Sequence, residues 1–350
     1  MFKSTNHENG SNPSSFSKPA NVVNTTTVPV KKPWKRYGDV MQESIDYVKK
    51  RASGSIKSLK TQWIQFNKIG LNGIEWQSLY VIAARPGVGK TLIASSITRH
   101  LQRINKDQNF AVLHFQFEML GRNMAIRELS GASGMNIRQI QSAQDDGLPP
   151  LGEAEIKKLA QYAEEQRMRE EYVVDKALTV NQMEEIIIGF FREVNKPIVI
   201  TLDHTLLVKQ GASETSKMHT LQNLSTMMTE MKNKLPVTFI VLTQLNREID
   251  DAERQRPGAL GNYPTEADVF GSDYLLQCAD VMIAYNRPAK YNISMYGPQR
   301  YQIDNKNLLA AHVLKNRFGE TSIQWYHAQY ETMSIVETPA PAMLIRSTKS

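Results

Sequence analysis

The string Ala84-Arg85-Pro86-Gly87-Val88-Gly89-Lys90-Thr91 lies between a short apolar run, Leu79–Ala83, and a helix-forming stretch, Thr91–Leu101. A glycine-rich turn that leaves a strand and opens a helix on Lys-Thr is built to hold a di- or triphosphate. Gly87 and Gly89 let backbone N–H groups approach phosphate oxygens, and the helix N-terminus adds partial positive charge. Lys90 is spaced to reach the β- and γ-phosphates, and the Thr91 hydroxyl to ligate Mg2+. Arg85, Pro86, Val88 and Leu92 complete the expected cradle. The strict pattern opens on Gly; Ala84 makes this a relaxed match.

The rest of the chain is patterned to suit such a loop. Phe110–Phe117, Ile198–Leu202 and Val237–Leu242 read as strands. Between them, 122–130, 153–169, Val180–Val194 and Met218–Leu235 read as helices. In the third of these, Met183, Ile186, Ile187, Phe190 and Phe191 form one face. Near-continuous apolar strands separated by helices predict an α/β fold, a mostly parallel sheet covered on both faces. After Asp280 the character turns strand-rich, with a C-terminal β-hairpin expected around Phe318-Gly319.

Residues 1–33, rich in Ser, Asn, Thr, Pro and Lys, lack the apolar surface to offset ordering entropy and predict a disordered tail. Tyr37, Met41, Ile45 and Val48 then mark a short helix within 34–58. Its apolar face packs either on its own domain or on a neighbouring subunit. Residues 337–350 read as a second flexible tail. The net charge of +7 invites a nucleic-acid reading, but residues 1–60 hold all of it, and the other 290 carry 31 charges of each sign. Nucleic acid would therefore be held by a local basic surface, not bulk charge. The single cysteine, Cys278, excludes a disulfide framework and a cysteine-based metal site. A reducing, cytoplasmic setting without membrane spans fits best.

Three further residues suggest chemistry. A second acid must complete a magnesium shell, and Asp203 ends the strand Ile198–Leu202. Its neighbour His204 is given no role. Glu118 follows Phe115-Gln116-Phe117 at another strand end, where ligand crevices lie; it is either the base that activates the attacking water or a helix cap. Gln244 ends Phe239–Thr243 and is either a γ-phosphate sensor or an ordinary polar terminus.

Together, Ala83–Thr91, Phe117-Glu118-Met119, Leu202-Asp203, Thr243-Gln244-Leu245-Asn246-Arg247, Ala279-Asp280-Val281 and Lys315-Asn316-Arg317-Phe318-Gly319 resemble the ATPase domain of DnaB-type replicative hexameric helicases. The similarity runs over about 56–336, and an alanine at the first position of the loop is ordinary in that family. The resemblance implies a RecA-like P-loop core over 59–336, with ATP and Mg2+ as cofactors. It also implies a homohexameric ring moving 5′→3′ on single-stranded DNA at the replication fork. Lys315 and Arg317 correspond to a pair that reaches the neighbouring subunit's γ-phosphate; from spacing alone they read as a solvated hairpin edge. The helix within 34–58 falls where the family has a linker helix that docks on the adjacent protomer.

Two departures limit the transfer. About 60 residues stand in place of the family's N-terminal helical domain, so a primase and a helicase loader, partners that the resemblance implies, are not to be assumed to bind through such a domain. The family's DNA-contacting loop commonly has an arginine where this chain has Phe270, in Asp268-Val269-Phe270-Gly271-Ser272-Asp273. Backbone N–H groups around Gly271 and Ser272, or Arg247, Arg254 and Arg256, would have to hold phosphates; Phe270 either stacks on a base or is buried. The short layout suggests a phage-encoded version, acting in the host cytoplasm. Two rival functions remain on the same core: a filament-forming recombinase or recombination mediator, and a packaging or scaffold ATPase indifferent to single-stranded DNA.

Overall fold

A computed structural model describes residues 34–143, 147–256 and 259–343. The tail expected over 1–33, and positions 344–350 of the C-terminal one, lie outside them. The chain divides into two units, the first ending at Ile56. The first contains helix α1 (Tyr37–Ala52), with Asp39 in its first turn and Lys49, Lys50 and Arg51 in its last, both favourable to the helix dipole. No residue of α1 is buried. The expected stripe, Tyr37, Met41, Ile45 and Val48, is exposed, as are Trp34 and Tyr47.

The second unit opens with α2 (Ile64–Asn67), β1 (Leu79–Ala84), α3 (Lys90–Thr98), α4 (Leu101–Ile104) and β2 (Ala111–Gln116). It continues through α5 (Gly121–Ser133), α6 (Ile137–Ile140), α7 (Glu153–Arg167), β3 (Glu171–Val174) and α8 (Val180–Val194). Next come β4 (Ile198–Asp203), α9 (Lys217–Lys234), β5 (Val237–Gln244), α10 (Ala252–Gln255), α11 (Ser272–Cys278) and β6 (Val281–Asn286). The chain ends with β7 (Met295–Tyr296), β8 (Tyr301–Gln302), β9 (Leu308–Asn316), β10 (Ile323–Gln329) and β11 (Ser334–Glu337).

Nine strands form one sheet in the order β11-β10-β9-β6-β1-β5-β4-β2-β3. From β6 to β3 every pairing is parallel. The expected C-terminal hairpin is β9–β10, and with β11 it extends the sheet in antiparallel fashion. Alternate residues of β1 enter opposite cores. Tyr80, Ile82 and Ala84 join Leu92, Ile93 and Ile97 of α3. Leu79, Val81 and Ala83 join Met183 and Ile187 of α8 and Leu224 and Met228 of α9. Because both faces are covered, the inner strands read as unbroken apolar runs. Local signals agree: Thr179 caps α8 in a capping box with Gln182, and Asn195 ends it in the left-handed region at φ 46°.

Two elements depart from expectation. β3 is an edge strand of four residues with Tyr172 and Val173 exposed, too short and too solvated to show an apolar period. Beyond 336 the chain is tied down as far as Met343. The Glu337 carboxylate accepts from the free N–H groups of Ile64 (2.9 Å) and Gln65 (2.5 Å) at the start of α2. Thr338 N donates to Trp325 O at 3.0 Å, and Gln302 N to Ala342 O at 2.9 Å. Residues 337–343, expected as the start of a flexible tail, thus make hydrogen bonds to the second unit.

Glu171, opening β3, gives the fold a pH dependence. Burial pushes its carboxyl up to about 7, with Arg169 pulling it down and Glu128 pushing it further. The folded state then holds the proton more tightly than the unfolded state. This stabilisation is complete below about pH 4.5 and is lost as the pH rises through about 7. Glu171→Gln is expected to remove that slope and to raise stability near pH 8 by on the order of 2 kcal/mol. Denaturant midpoints of both proteins at acid and alkaline pH check it; parallel pH profiles would contradict it.

Candidate active site

β1 delivers the chain to a turn that needs two left-handed residues, Gly87 at φ 78° and Gly89 at φ 106°. At Gly89 a side chain would also crowd the Tyr330 ring, with its Cβ 3.2 Å away. α3 then starts at Lys90 with no side-chain cap. Its first N–H groups are thus left to a ligand, as anion binding at a helix start requires. Val88 is buried, Leu92 packs into the core under α3, and Arg85 and Pro86 form the outer lip. Lys90 is buried, with Nζ 3.5 Å from the Ala84 carbonyl oxygen. Burial lowers its pKa, against the pull of Glu118 and Asp203.

Asp203 ends β4 beside this turn. Thr91 Oγ1 donates to its Oδ2 at 2.6 Å. Oδ1 is buried without a hydrogen-bond partner among the described residues. Burial raises the carboxyl to about 6, with Thr91 opposing and the Glu118 charge adding to it. A buried carboxylate with an open oxygen next to a hydroxyl is a donor set suited to a hard divalent cation.

β2 and β4 run in parallel register with Gln116 beside Asp203, so Glu118 lies just past the strand end over the same crevice. Its side chain is exposed, and its charge acts on Lys90, Asp203 and His204 alike. The N-cap of α5 is Leu120 with no side-chain cap, so Glu118 does not serve as one. Gln244 ends β5 opposite Ala84. Its Nε2 is 3.5 Å from His204 Nε2, and His204 Nδ1 accepts from Leu206 N at 3.3 Å. His204, unassigned from sequence, thus bridges the floor between Asp203 and Gln244. Burial keeps its pKa low.

Gln244 is also the neck of a long loop. Phe270 N donates to Gln244 O at 2.9 Å, and Asn246 N to Asp268 O at 2.6 Å. The excursion 247–268 therefore leaves and returns at one point. Arg247 and Arg256 are exposed on it. Arg254 is not available for phosphates: its guanidinium is bidentate to Asp268 at 2.5 and 3.0 Å and donates to the carbonyls of Gly261 and Tyr263. It braces the loop. Phe270 is half-buried against the second core cluster, the structural alternative of the two open to it. Gly271, at φ 69°, is the N-cap of α11, where an added Cβ would lie 2.8 Å from Leu221. Ser272 is the first residue of α11.

Sequence reasoning missed the residues that brace the phosphate loop from outside. Arg85 pairs with Asp250 at 2.5 Å, and Tyr291 donates to the same carboxylate at 2.7 Å. Lys290 Nζ donates to Pro86 O at 2.5 Å, and the Tyr330 hydroxyl to Val88 O at 2.9 Å. The Arg287 guanidinium lies over the Tyr330 ring, 4.6 Å from its centroid. Arg85 and Asp250 are 165 residues apart, so no local spacing announces the contact.

Lys315 and Arg317 lie elsewhere. Asn316 pairs with Val281 at the start of β6, and Val281 lies beside Tyr80 at the start of β1. The phosphate loop leaves the far end of β1, four residues beyond Tyr80 and about 13 Å away. Arg317 therefore does not reach its own phosphate loop. Its Nη1 donates to Asp280 Oδ1 at 2.9 Å, and Lys315 Nζ donates to the Leu276 carbonyl.

Residues 58–334 match the DnaB-like helicase C terminal domain family. Replicative DNA helicase DnaB of Buchnera aphidicola is 25% identical over 63% of this chain and 45% of its own length. That of Helicobacter pylori is 22% identical over 73% of this chain and 49% of its own. The chain thus spans about half the length of these curated relatives. Among solved structures, an isolated ATPase domain superposes with a TM-score of 0.70 at 21% identity, covering 85% of this chain and 99% of that one. A DnaB-like replicative helicase, solved in a study of its interactions with primase, gives 0.69 at 21% identity over 87% of this chain and 70% of that one. With the family match spanning 277 of its 350 residues, this chain belongs to the DnaB-like helicase C-terminal domain family.

Proposed function

We propose that this chain is the ATP-hydrolysing motor of a replicative DNA helicase, a homohexameric ring that moves along single-stranded DNA and separates the duplex. The observation that supports this reading is that the phosphate-loop residues and the basic pair assigned by resemblance lie at opposite ends of one sheet. The phosphate loop, Asp203 and Glu118 sit at one end, Lys315 and Arg317 at the other. A complete site requires a second copy, and a ring supplies one to every subunit.

In this reading Gly87, Gly89 and the start of α3 hold the phosphates through backbone N–H groups, with the Lys90 ammonium on the β- and γ-phosphates. Thr91 and Asp203 are the residues that would hold Mg2+, which would supply charge neutralisation at the phosphates. Glu118 accepts the proton of the attacking water. Arg317 from the next copy stabilises the transition-state charge, with Lys315 beside it. Gln244 senses the γ-phosphate. Because Gln244 O accepts from Phe270 N and Asn246 N, two residues on, donates to Asp268 O, a shift of Gln244 is passed to the neck of the loop that carries the exposed Arg247 and Arg256. These two and the backbone around Gly271 and Ser272 are the DNA-facing candidates, and 5′→3′ is the expected direction.

The unburied apolar face of α1 is the surface we assign to docking on an adjacent copy. A primase contact is an extension from the structural relative. Among the described residues no helix is long and apolar enough to cross a membrane.

ATP hydrolysis and unwinding of forked DNA, measured on the assembled protein with and without single-stranded DNA, test the reading. Stimulated hydrolysis with strand separation is expected. Hydrolysis that ignores DNA would favour a packaging or scaffold motor instead.

A further inference from the structure

The motif Ala279-Asp280-Val281 performs no step in the chemistry above, yet Asp280 is among the most heavily bonded side chains at the far end of the sheet. It is buried. Oδ2 accepts from Leu79 N at 2.8 Å and from Lys232 Nζ. Oδ1 accepts from Arg317 Nη1 at 2.9 Å. The backbones are joined as well: Asp280 N donates to Leu79 O, and Arg317 N to Asp280 O, both at 2.9 Å.

Lys232, projecting from α9, is as buried as its partner. Taking both charges out of water is costly, and packed apolar residues often hold such a junction equally well. Stability alone therefore does not explain the pair. What it provides is a carboxylate fixed by one cation and one backbone N–H, with Oδ1 left for a second cation. Arg317 needs such a partner. Its side chain is 52% exposed at the start of a hairpin turn. A second restraint comes from Gln277 O, which accepts from Nη2 at 3.3 Å. Lys315 is set the same way, on the C-terminal carbonyls of α11 at Leu276 and Gln277, where the helix dipole favours cations.

We propose that Asp280, backed by Lys232, is the positioning residue of Arg317. It holds one edge of the guanidinium in place before assembly, so that the exposed part is presented to the neighbour's nucleotide without a search among rotamers. The proposal rests on Arg317 completing the neighbour's site. Placing a charged group within a fraction of an ångström is worth more to the rate than to ground-state binding.

Asp280→Asn, in the full-length assembled protein, removes the charge at constant volume. DNA-stimulated kcat is expected to fall about 10- to 100-fold, while KM for ATP and binding of a fluorescent ATP analogue move less than about twofold. Because this change leaves the Lys232 ammonium unpaired, Asp280→Asn/Lys232→Gln is measured beside it, and thermal unfolding shows which variants are folded. Where the single variant does not fold, the neutral pair decides. In an Arg317→Ala background the same change is expected to cost nothing further.

A similar loss with and without Arg317 would mean that Asp280 acts through something else, and the proposal falls. A folded neutral pair at the wild-type rate, beside an inactive Arg317→Ala, overturns the positioning role and leaves the shared site standing. Wild-type hydrolysis by Arg317→Ala itself removes the shared site and the proposal with it.

Discussion

Arg317→Ala is expected to bind ATP normally and to hydrolyse it about 10³- to 10⁵-fold more slowly, the range for an arginine that stabilises transferred phosphoryl charge. The asymmetry follows from position. Arg317 lies at the strand end opposite its own phosphate loop, so it contributes nothing to the binding site in its own chain. On the proposed reading its guanidinium acts only where a second copy brings it to a γ-phosphate. Equilibrium binding of a fluorescent ATP analogue, beside steady-state hydrolysis, separates the two effects. A variant that loses ATP affinity in proportion to rate would place Arg317 in ground-state binding instead. Arg317→Lys is not expected to rescue, because a point charge does not replace the planar fork.

Glu118→Gln carries the second large effect, a loss of about 10²- to 10⁴-fold in kcat from removal of a general base. Affinity for ATP should hold or improve slightly. The Glu118 charge raises the Asp203 carboxyl, so its removal leaves Asp203 easier to ionise and readier for a cation. Assemblies of this variant should remain on single-stranded DNA in the ATP-bound state, which native mass spectrometry or electron microscopy reads directly. Near-normal turnover would return Glu118 to the status of an exposed surface carboxylate.

The parts legible in the sequence are those whose physics is local. The phosphate loop is contiguous, and Gly87 and Gly89 supply the positive φ values it needs. The inner strands are apolar on both faces because two cores need them to be, so β1, β4 and β5 stand out without alignment. Asp203 and Glu118 follow from a rule about strand ends. What escaped reading depends on contacts distant in sequence. Arg254 looks like a surface cation until Asp268 is folded against it. Glu337 looks like the start of a tail until it meets the bare N–H groups of α2. Asp250, Lys290 and Tyr330 brace a loop from 160 or more residues away. Lys315 and Arg317 were assigned through resemblance alone. The register of β9 against β6 sets the pair beyond reach of its own nucleotide, so any role in hydrolysis has to be played in a second copy.

The most direct test of the central claim, one active site shared by two copies, is to mix Lys90→Ala with Arg317→Ala and measure DNA-stimulated hydrolysis. The first variant has a disabled phosphate loop and an intact arginine; the second has the reverse. Each alone should be nearly inactive. In mixed rings the loop of one copy meets the arginine of the other, so activity is predicted to rise well above the sum of the separate preparations. Mixtures no more active than that sum, with subunit exchange verified, would contradict a shared site.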